Sequence, residues 1–223
     1  MGKKVTLIEN FRSFQGEGPD MGRAALILRF KTCNLSCKWC DTAVKMRISA
    51  EAPYDLDDIQ KTINETKAGV LLTGGEPTVN RHFNEAVSIL NDLNYPFANV
   101  ESNGFHLKEL IKSVDELKPV KFIYSPKIFS QKDTEEAIER TKELLPLKRL
   151  FIKIVYENED YMNRYCKFLS KEVDDISQSE RVFLMPEGVT RSDLLRNAPV
   201  VFDAAEKYKF NFSSRLHIMY SFV

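Results

Sequence analysis

Cys33, Cys37 and Cys40 stand within eight residues of a chain that has only one other cysteine, Cys166. Four cysteines so placed make no disulfide framework. In a reducing compartment, clustered thiols point instead to a metal or to catalysis. A C-x3-C-x2-C loop can wrap three thiolates around one face of a cubane cluster, because soft sulfur suits iron–sulfur centres. Three ligands for four irons leave one iron open to a reacting group. A structural zinc ion closes its tetrahedron with a fourth ligand, and the sequence offers poor ones. His82, His106 and His217 are isolated, and Cys166 lies among apolar neighbours in an expected helix, where a buried free thiol is common. From the residues alone, an open cluster, a zinc site and a purely structural cluster all remain readings of this loop.

The pattern around the loop is one of alternation. Ala24 to Phe30 reads as a buried strand that delivers the cysteines at its C-terminal end. A helix is expected from Asp55 to Glu65, capped by Asp55, with Leu56, Ile59 and Ile63 on one face. Val70 to Leu72 reads as a strand running into Thr73-Gly74-Gly75-Glu76-Pro77, and Phe83, Ala86, Val87, Leu90 and Leu93 form a helical stripe. Further strands are expected at 99–102, 121–124, 150–156, 181–185 and 216–220, with helices at 107–117, 134–145 and 160–169. Thr190 and Asp193 open a last helix, which Pro199 is expected to break or kink. Such alternation implies an α/β fold with a mostly parallel sheet and helices outside. In such folds chemistry gathers where strands end, and there lie the cysteine loop, Gly74-Gly75-Glu76-Pro77, Ser102-Asn103-Gly104, Ser125-Pro126-Lys127 and Met185-Pro186-Glu187-Gly188.

Composition removes several alternatives. Lys+Arg and Asp+Glu both total 32, so there is no basic excess of the kind nucleic-acid binding calls for, and no nucleic-acid partner is expected. No apolar run approaches the roughly 20 residues needed to cross a bilayer. The N-terminus enters a polar segment rather than a signal-peptide core, so a cytoplasmic protein without a membrane partner is expected. With no linker-like tract in 223 residues, residues 1–223 are expected to form a single domain.

With these features in view, the sequence resembles the radical S-adenosylmethionine superfamily, and within it the 7-carboxy-7-deazaguanine synthase family. The likeness rests on Phe14-Gln15-Gly16-Glu17-Gly18, Arg29, the segment from Cys33 to Thr42, Thr73-Gly74-Gly75-Glu76-Pro77, Glu101-Ser102-Asn103-Gly104, Ser125-Pro126-Lys127 and the tail from His217 to Val223. It implies a partial, TIM-like β/α barrel. It also implies a [4Fe–4S] cluster on Cys33, Cys37 and Cys40, with S-adenosylmethionine on the fourth iron and Mg2+ held with the help of Thr42. Trp39, Gly74, Gly75, Glu76, Ser102, Ser125, Pro126 and Lys127 would contact S-adenosylmethionine. Met185, Pro186, Glu187 and Gly188 replace the family's Gln-Pro, which implies backbone rather than side-chain contact there. Phe14, Gln15, Gly16, Arg29, Thr73 and the terminal carboxylate of Val223 would meet the substrate, with Arg29 pairing its carboxylate.

The reaction so implied converts 6-carboxy-5,6,7,8-tetrahydropterin to 7-carboxy-7-deazaguanine with loss of ammonia, for queuosine-type or other 7-deazapurine biosynthesis. It needs a one-electron donor, flavodoxin-like or chemical, and no catalytic side chain beyond the cofactors; a homodimer is the family's assembly. Each assignment has a plainer counterpart. Trp39 reads equally as a core aromatic, Gly74-Gly75-Glu76 and Thr42 as turns, Ser102 and Ser125 to Lys127 as exposed loop, and Arg29 as the cap of a strand's outer face. Two rival functions also stand: another small radical S-adenosylmethionine enzyme, such as a glycyl-radical activase, and a non-catalytic metal-binding module.

Overall fold

The apolar run ahead of the cysteine loop is a strand over Ala24–Phe30 in the computed structural model, which describes residues 2–37, 40, 42–173 and 179–222. Contacts divide the chain into two units, Met1–Gln15 with Arg23–Phe122, and Gly16–Gly22 with Ile123–Val223.

The first unit runs β1 (Lys4–Leu7), β2 (Glu9–Phe14), β3 (Ala24–Phe30), α1 (Ala43–Ile48), β4 (Ala52–Asp55), α2 (Leu56–Thr66), β5 (Gly69–Gly74), α3 (Asn80–Asp92), β6 (Ala98–Ser102) and α4 (Leu107–Ser113), and leads into β7 (Val120–Tyr124). β3 pairs antiparallel with β2 and parallel with β5, and β5 is parallel to β6. β1 and β4 form a separate antiparallel ribbon. β3 is buried on both faces because both are covered. Ala25 and Ile27 pack with Leu71, Phe97 and Phe11 on one side, while Leu26, Leu28 and Phe30 are buried on the other. This is why the run reads as continuously apolar rather than alternating. Register between β3 and β5 is tight at Gly69, opposite Ala25, where a Cβ would lie 2.2 Å from the Phe97 ring. Asp55 caps α2 as expected, accepting from the Asp57 N–H at 3.0 Å.

The second unit contains a single 3-10 turn at Gly18–Asp20, then α5 (Gln131–Leu144), β8 (Leu150–Tyr156), α6 (Asp160–Glu172), β9 (Val182–Pro186), α7 (Arg191–Tyr208), β10 (Asn211–Phe212) and α8 (Leu216–Met219). β8, β9 and β10 are parallel neighbours. Thr190 caps α7 by accepting from the Asp193 N–H at 3.1 Å. Cys166 is buried and free in α6, and burial pushes its thiol up to about 12. Among the described residues no helix is long and apolar enough to cross a membrane.

Three expectations are corrected. Residues 216–220 are no strand: Met219 and Tyr220 N–H donate to the Arg215 and Leu216 carbonyls, closing a short helix. A short apolar run cannot be assigned by periodicity alone. The helix expected at 107–117 stops at Ser113, since Asp115 draws the following chain into a turn by accepting from the Leu117 N–H. Finally, α7 runs unbroken through Pro199, an exposed position, so the break expected there does not occur. Proline still removes one helical bond there. Pro199→Ala is expected to stabilise the protein by up to about 3 kcal/mol, the net cost of proline relative to alanine inside a helix. Urea unfolding followed by circular dichroism measures this; an unmoved midpoint would show that the helix loses nothing at Pro199.

Candidate active site

In the first unit the cysteine loop begins three residues beyond β3, and the Gly-Gly-Glu-Pro loop begins at the end of β5 beside it. The two backbones touch directly. Gly75 N–H donates to the Phe30 carbonyl at 2.9 Å, and Glu76 N–H donates to the Thr32 carbonyl at 2.8 Å. A Cβ on Gly75 would sit 2.1 Å from the Thr32 oxygen. One on Gly74, whose φ is +114°, would sit 2.3 Å from the Phe30 oxygen. Both positions therefore require glycine to bring two chain segments together.

Glu76 is 1% exposed and ties this pair to the end of β6. One carboxylate oxygen accepts from the Thr78 hydroxyl at 2.6 Å and the other from the Asn103 N–H at 2.6 Å. The Thr78 hydroxyl also meets the Phe105 carbonyl. Burial raises the Glu76 carboxyl above its ordinary range, against the lowering effect of Thr78, Asn103 and Ser102. Ser102 is buried and accepts from the Gly104 N–H at 3.0 Å. Asn103 reaches back to the cysteine loop: its amide donates to Asn34 Oδ1 at 2.9 Å and lies 3.9 Å from Cys33 Sγ.

Cys33, Cys37 and Cys40 are half-buried. The Leu35 N–H donates to Cys33 Sγ at 3.4 Å, and Cys40 N–H donates to the Cys37 carbonyl at 3.3 Å, which turns the loop on itself. Among the described residues, no three His, Cys, Asp or Glu side chains are grouped to hold a single metal ion. The donor set nonetheless fits a cluster: three thiols on one loop, with the Leu35 N–H and the Asn103 amide directed at Cys33 sulfur, the kind of contact that tunes iron–sulfur centres. Thr42 places its hydroxyl 3.4 Å from both Cys40 Sγ and the Gly74 carbonyl. Trp39 lies outside the described residues, as does Val223.

Arg29 and Thr73 are register partners at the ends of β3 and β5. The Arg29 Nε donates to Glu9 Oε2 at 2.8 Å, and Lys45 of α1 takes the other oxygen. Burial pushes the Glu9 carboxyl up, but Lys45 and Arg29 outweigh it and hold it low. Phe14 is 48% exposed, whereas Gln15 is buried and donates to Asn99 Oδ1 at 2.9 Å.

The second unit holds the remaining residues. Ser125 and Pro126 are buried just past β7, and Lys127 Nζ donates to Ser125 Oγ at 2.9 Å. Met185 and Pro186 end β9. The Glu187 carbonyl accepts from Asn197 at 2.9 Å and the Gly188 carbonyl from Arg215 at 2.6 Å. Burial, with Glu157 and Asp193 nearby, raises the Glu187 carboxyl. Gly16 is pressed against His217, whose Nδ1 would lie 2.2 Å from a Cβ there, and its carbonyl accepts from the Leu216 N–H.

Beside Gly16 the sequence reading missed a charge cluster. Glu17 bridges Lys153 and Arg215, with His217 3.8 Å away; Lys153 is 3% exposed and Arg215 8%. Burial pushes the Glu17 carboxyl up, yet Lys153, Arg215 and His217 together hold it well below the ordinary carboxylate range. The signal available was Lys153 inside the apolar run Phe151-Ile152-Lys153-Ile154-Val155, because a lysine buried in a strand needs a counter-charge. Asn103 was also missed as a site residue, although its place beside Ser102 at a strand end marked it.

Known proteins give this arrangement a context. Residues 27–169 match the family model described as the radical SAM superfamily. A 7-carboxy-7-deazaguanine synthase from Hyperthermus butylicus is 28% identical over 96% of this chain and 92% of its own length. One from Thermoplasma acidophilum is 30% identical over 74% of this chain and 80% of its own. Among solved structures, QueE from Escherichia coli superposes with a TM-score of 0.61 at 17% identity, covering 96% of this chain and 95% of that one. Streptococcus suis SuiB bound to S-adenosylmethionine gives 0.56 at 16% identity, over 87% of this chain and 51% of that one. The parallel strands, the family match and these fold likenesses bear out the expected α/β, incomplete-barrel class.

Glu17→Gln is expected to cost about 3 kcal/mol at pH 7, because two buried cations lose their charged partner. A carboxyl held low in the folded state contributes stability above its unfolded pKa of about 4.3 and loses it as pH falls through the lower folded value. The gap between wild type and E17Q should therefore persist from neutrality to about pH 4 and close only in stronger acid. Thermal unfolding across that range reads it; equal stability at pH 7 would refute the paired-charge account.

Proposed function

We propose that this chain, which belongs to the radical S-adenosylmethionine superfamily and within it to the 7-carboxy-7-deazaguanine synthases, converts 6-carboxy-5,6,7,8-tetrahydropterin to 7-carboxy-7-deazaguanine with release of ammonia. The observation that carries the reading is the C-x3-C-x2-C loop at the end of β3 in a chain that resembles such synthases over nearly its whole length. That match over 27–169 spans residues of both units, which supports treating the chain as one radical S-adenosylmethionine domain.

Cys33, Cys37 and Cys40 would hold a [4Fe–4S] cluster, which together with S-adenosylmethionine would supply one-electron radical chemistry. The chain's own work is to hold, orient and keep water out. Gly74, Gly75, Glu76 and Ser102 would flank S-adenosylmethionine in the first unit, where the direct backbone contact of the two loops supports a rigid wall. Trp39, Ser125, Pro126, Lys127 and the backbone of Met185 to Gly188 take the same role from the family resemblance. Phe14, Gln15, Gly16, Thr73 and Val223 would meet the pterin.

Arg29 would receive the substrate carboxylate. Its partner Glu9 is shared with Lys45, so one carboxylate faces two cations and a net positive charge remains for an incoming anion. Thr42 would help hold Mg2+ beside that carboxylate. Its hydroxyl, with the Gly74 carbonyl at 3.4 Å, offers the hard oxygen that Mg2+ prefers while substrate and water fill other positions. A flavodoxin-like protein or a chemical reductant would supply the electron, and the working form would be a cytoplasmic homodimer.

Anaerobic reconstitution followed by turnover with the carboxypterin tests the assignment: 7-carboxy-7-deazaguanine should appear by mass spectrometry, and an intact cluster without product would sink it. Cys37→Ala should abolish iron binding while Cys166→Ala keeps it; equal loss in both would remove the ligand assignment. Thr42→Ala should retain the cluster but blunt the response of turnover to added Mg2+, and a wild-type response would take Thr42 out of the metal site.

A further inference from the structure

Thr32 directly precedes the first cysteine of the loop, and both of its peptide groups are taken by the segment that follows β5. Its carbonyl accepts from the Glu76 N–H at 2.8 Å, and its N–H donates to Nε2 of His82 at 3.3 Å. His82 stands in the first turn of α3 with a side chain that is 0% exposed. Its ring lies against Phe30, the last residue of β3, with centroids 4.8 Å apart. Nδ1 is 3.3 Å from Glu85 Oε2, and the other Glu85 oxygen accepts from the Thr6 N–H at 2.8 Å.

These contacts fix the tautomer. A nitrogen that accepts from a peptide N–H carries no proton, so Nε2 is bare and the proton sits on Nδ1, facing Glu85. Burial also lowers the His82 pKa, in keeping with a neutral ring. An imidazole serving only to fill space would be a costly choice, since a buried polar ring must find partners that an apolar side chain does not need. Here both ring nitrogens are used, and the acceptor is spent on the peptide group next to a cluster ligand.

We propose, resting on the radical S-adenosylmethionine reading above, that His82 is a positioning residue for the cluster: through the Thr32 N–H it fixes the direction from which Cys33 presents its thiolate. Glu85 orients the imidazole, and Phe30 sets its plane. Groups that orient a metal ligand without touching the metal commonly change metal affinity 10- to 100-fold when removed. His82→Leu removes the acceptor at similar volume. His82→Gln places an amide oxygen in reach of the Nε2 position and serves as the conservative rescue.

The test compares wild type, H82L and H82Q as full chains. In metal-free protein, hydrogen exchange at the Thr32 amide should be about 10-fold faster in H82L than in wild type, and near wild type in H82Q. After anaerobic reconstitution, iron release to a chelator should accelerate about 10-fold in H82L. The electron paramagnetic resonance g-values of its reduced cluster should shift as well, and H82Q should restore both. A loaded H82L with wild-type g-values and iron release would overturn the proposal. If H82L does not fold, Glu85→Leu keeps the ring but removes its orienting carboxylate; it should move the same readouts in the same direction, and wild-type values would overturn the proposal equally. A wild type that binds no iron and sulfide would refute the cluster reading itself, an outcome distinct from a loaded wild type beside an unchanged H82L.

Discussion

Where β3 and β5 end, two backbones meet with no side chain between them. Gly75 and Glu76 donate their N–H groups to the carbonyls of Phe30 and Thr32, so the cysteine loop and the Gly-Gly-Glu-Pro loop leave the sheet as one hydrogen-bonded piece. This contact constrains much of the first unit's rim. It needs glycine at 74 and 75, because any Cβ there would occupy the space of a carbonyl oxygen. It fixes the Thr32 carbonyl while His82 fixes the Thr32 N–H, and it sets Glu76 where its carboxylate can gather the β6 loop through Asn103. Thr42 then closes the circle, its hydroxyl lying within 3.4 Å of the Gly74 carbonyl.

Much of this was legible in the sequence because it is written in single residues with strong local meaning. β3 and β8 were readable as strands from their continuous apolar runs, and the caps at Asp55 and Thr190 from short polar side chains placed before helices. The cysteine loop was readable because clustered thiols have few bland explanations. Less legible were β1, β2, β4 and β10, which are short or half-exposed and owe their form to a partner strand. The end of the chain misled for the same reason in reverse. Leu216 to Tyr220 has the apolar content of a strand, but Arg215 and Leu216 offer carbonyls at helical spacing.

At the site the limit was one of partner rather than residue. Gly74 and Gly75 were readable as places of close approach; that the approaching group includes the chain's own carbonyls was not. Arg29 was readable as a cation among apolar neighbours, whereas its sharing of Glu9 with Lys45 depends on α1 folding back toward β2. His82 looked isolated because its partners, Thr32, Glu85 and Phe30, are gathered by strand pairing and one helical turn. Spacing along the chain carries no trace of such a set until the register of β3 against β5 is known.

Glu76 of the first unit and Glu17 of the second show why desolvation alone assigns no role. Glu76 is surrounded by neutral donors: the Thr78 hydroxyl, the Asn103 peptide and Ser102. These soften the loss of hydration without reversing it, so its carboxyl stays above the ordinary range. Glu17 faces Lys153 and Arg215, both nearly buried themselves, and the same desolvation is overcome. One carboxyl is thus a hydrogen-bonded clamp whose ionisation is costly; the other is a counter-ion whose ionisation the fold requires. Since the neutral donors reach Glu76 through backbone and hydroxyl groups, replacing it by glutamine changes a hydrogen-bond pattern. Replacing Glu17 leaves charge behind. Motif membership singled out the segments that hold both residues, but only the charges packed around each one decide what its carboxylate contributes.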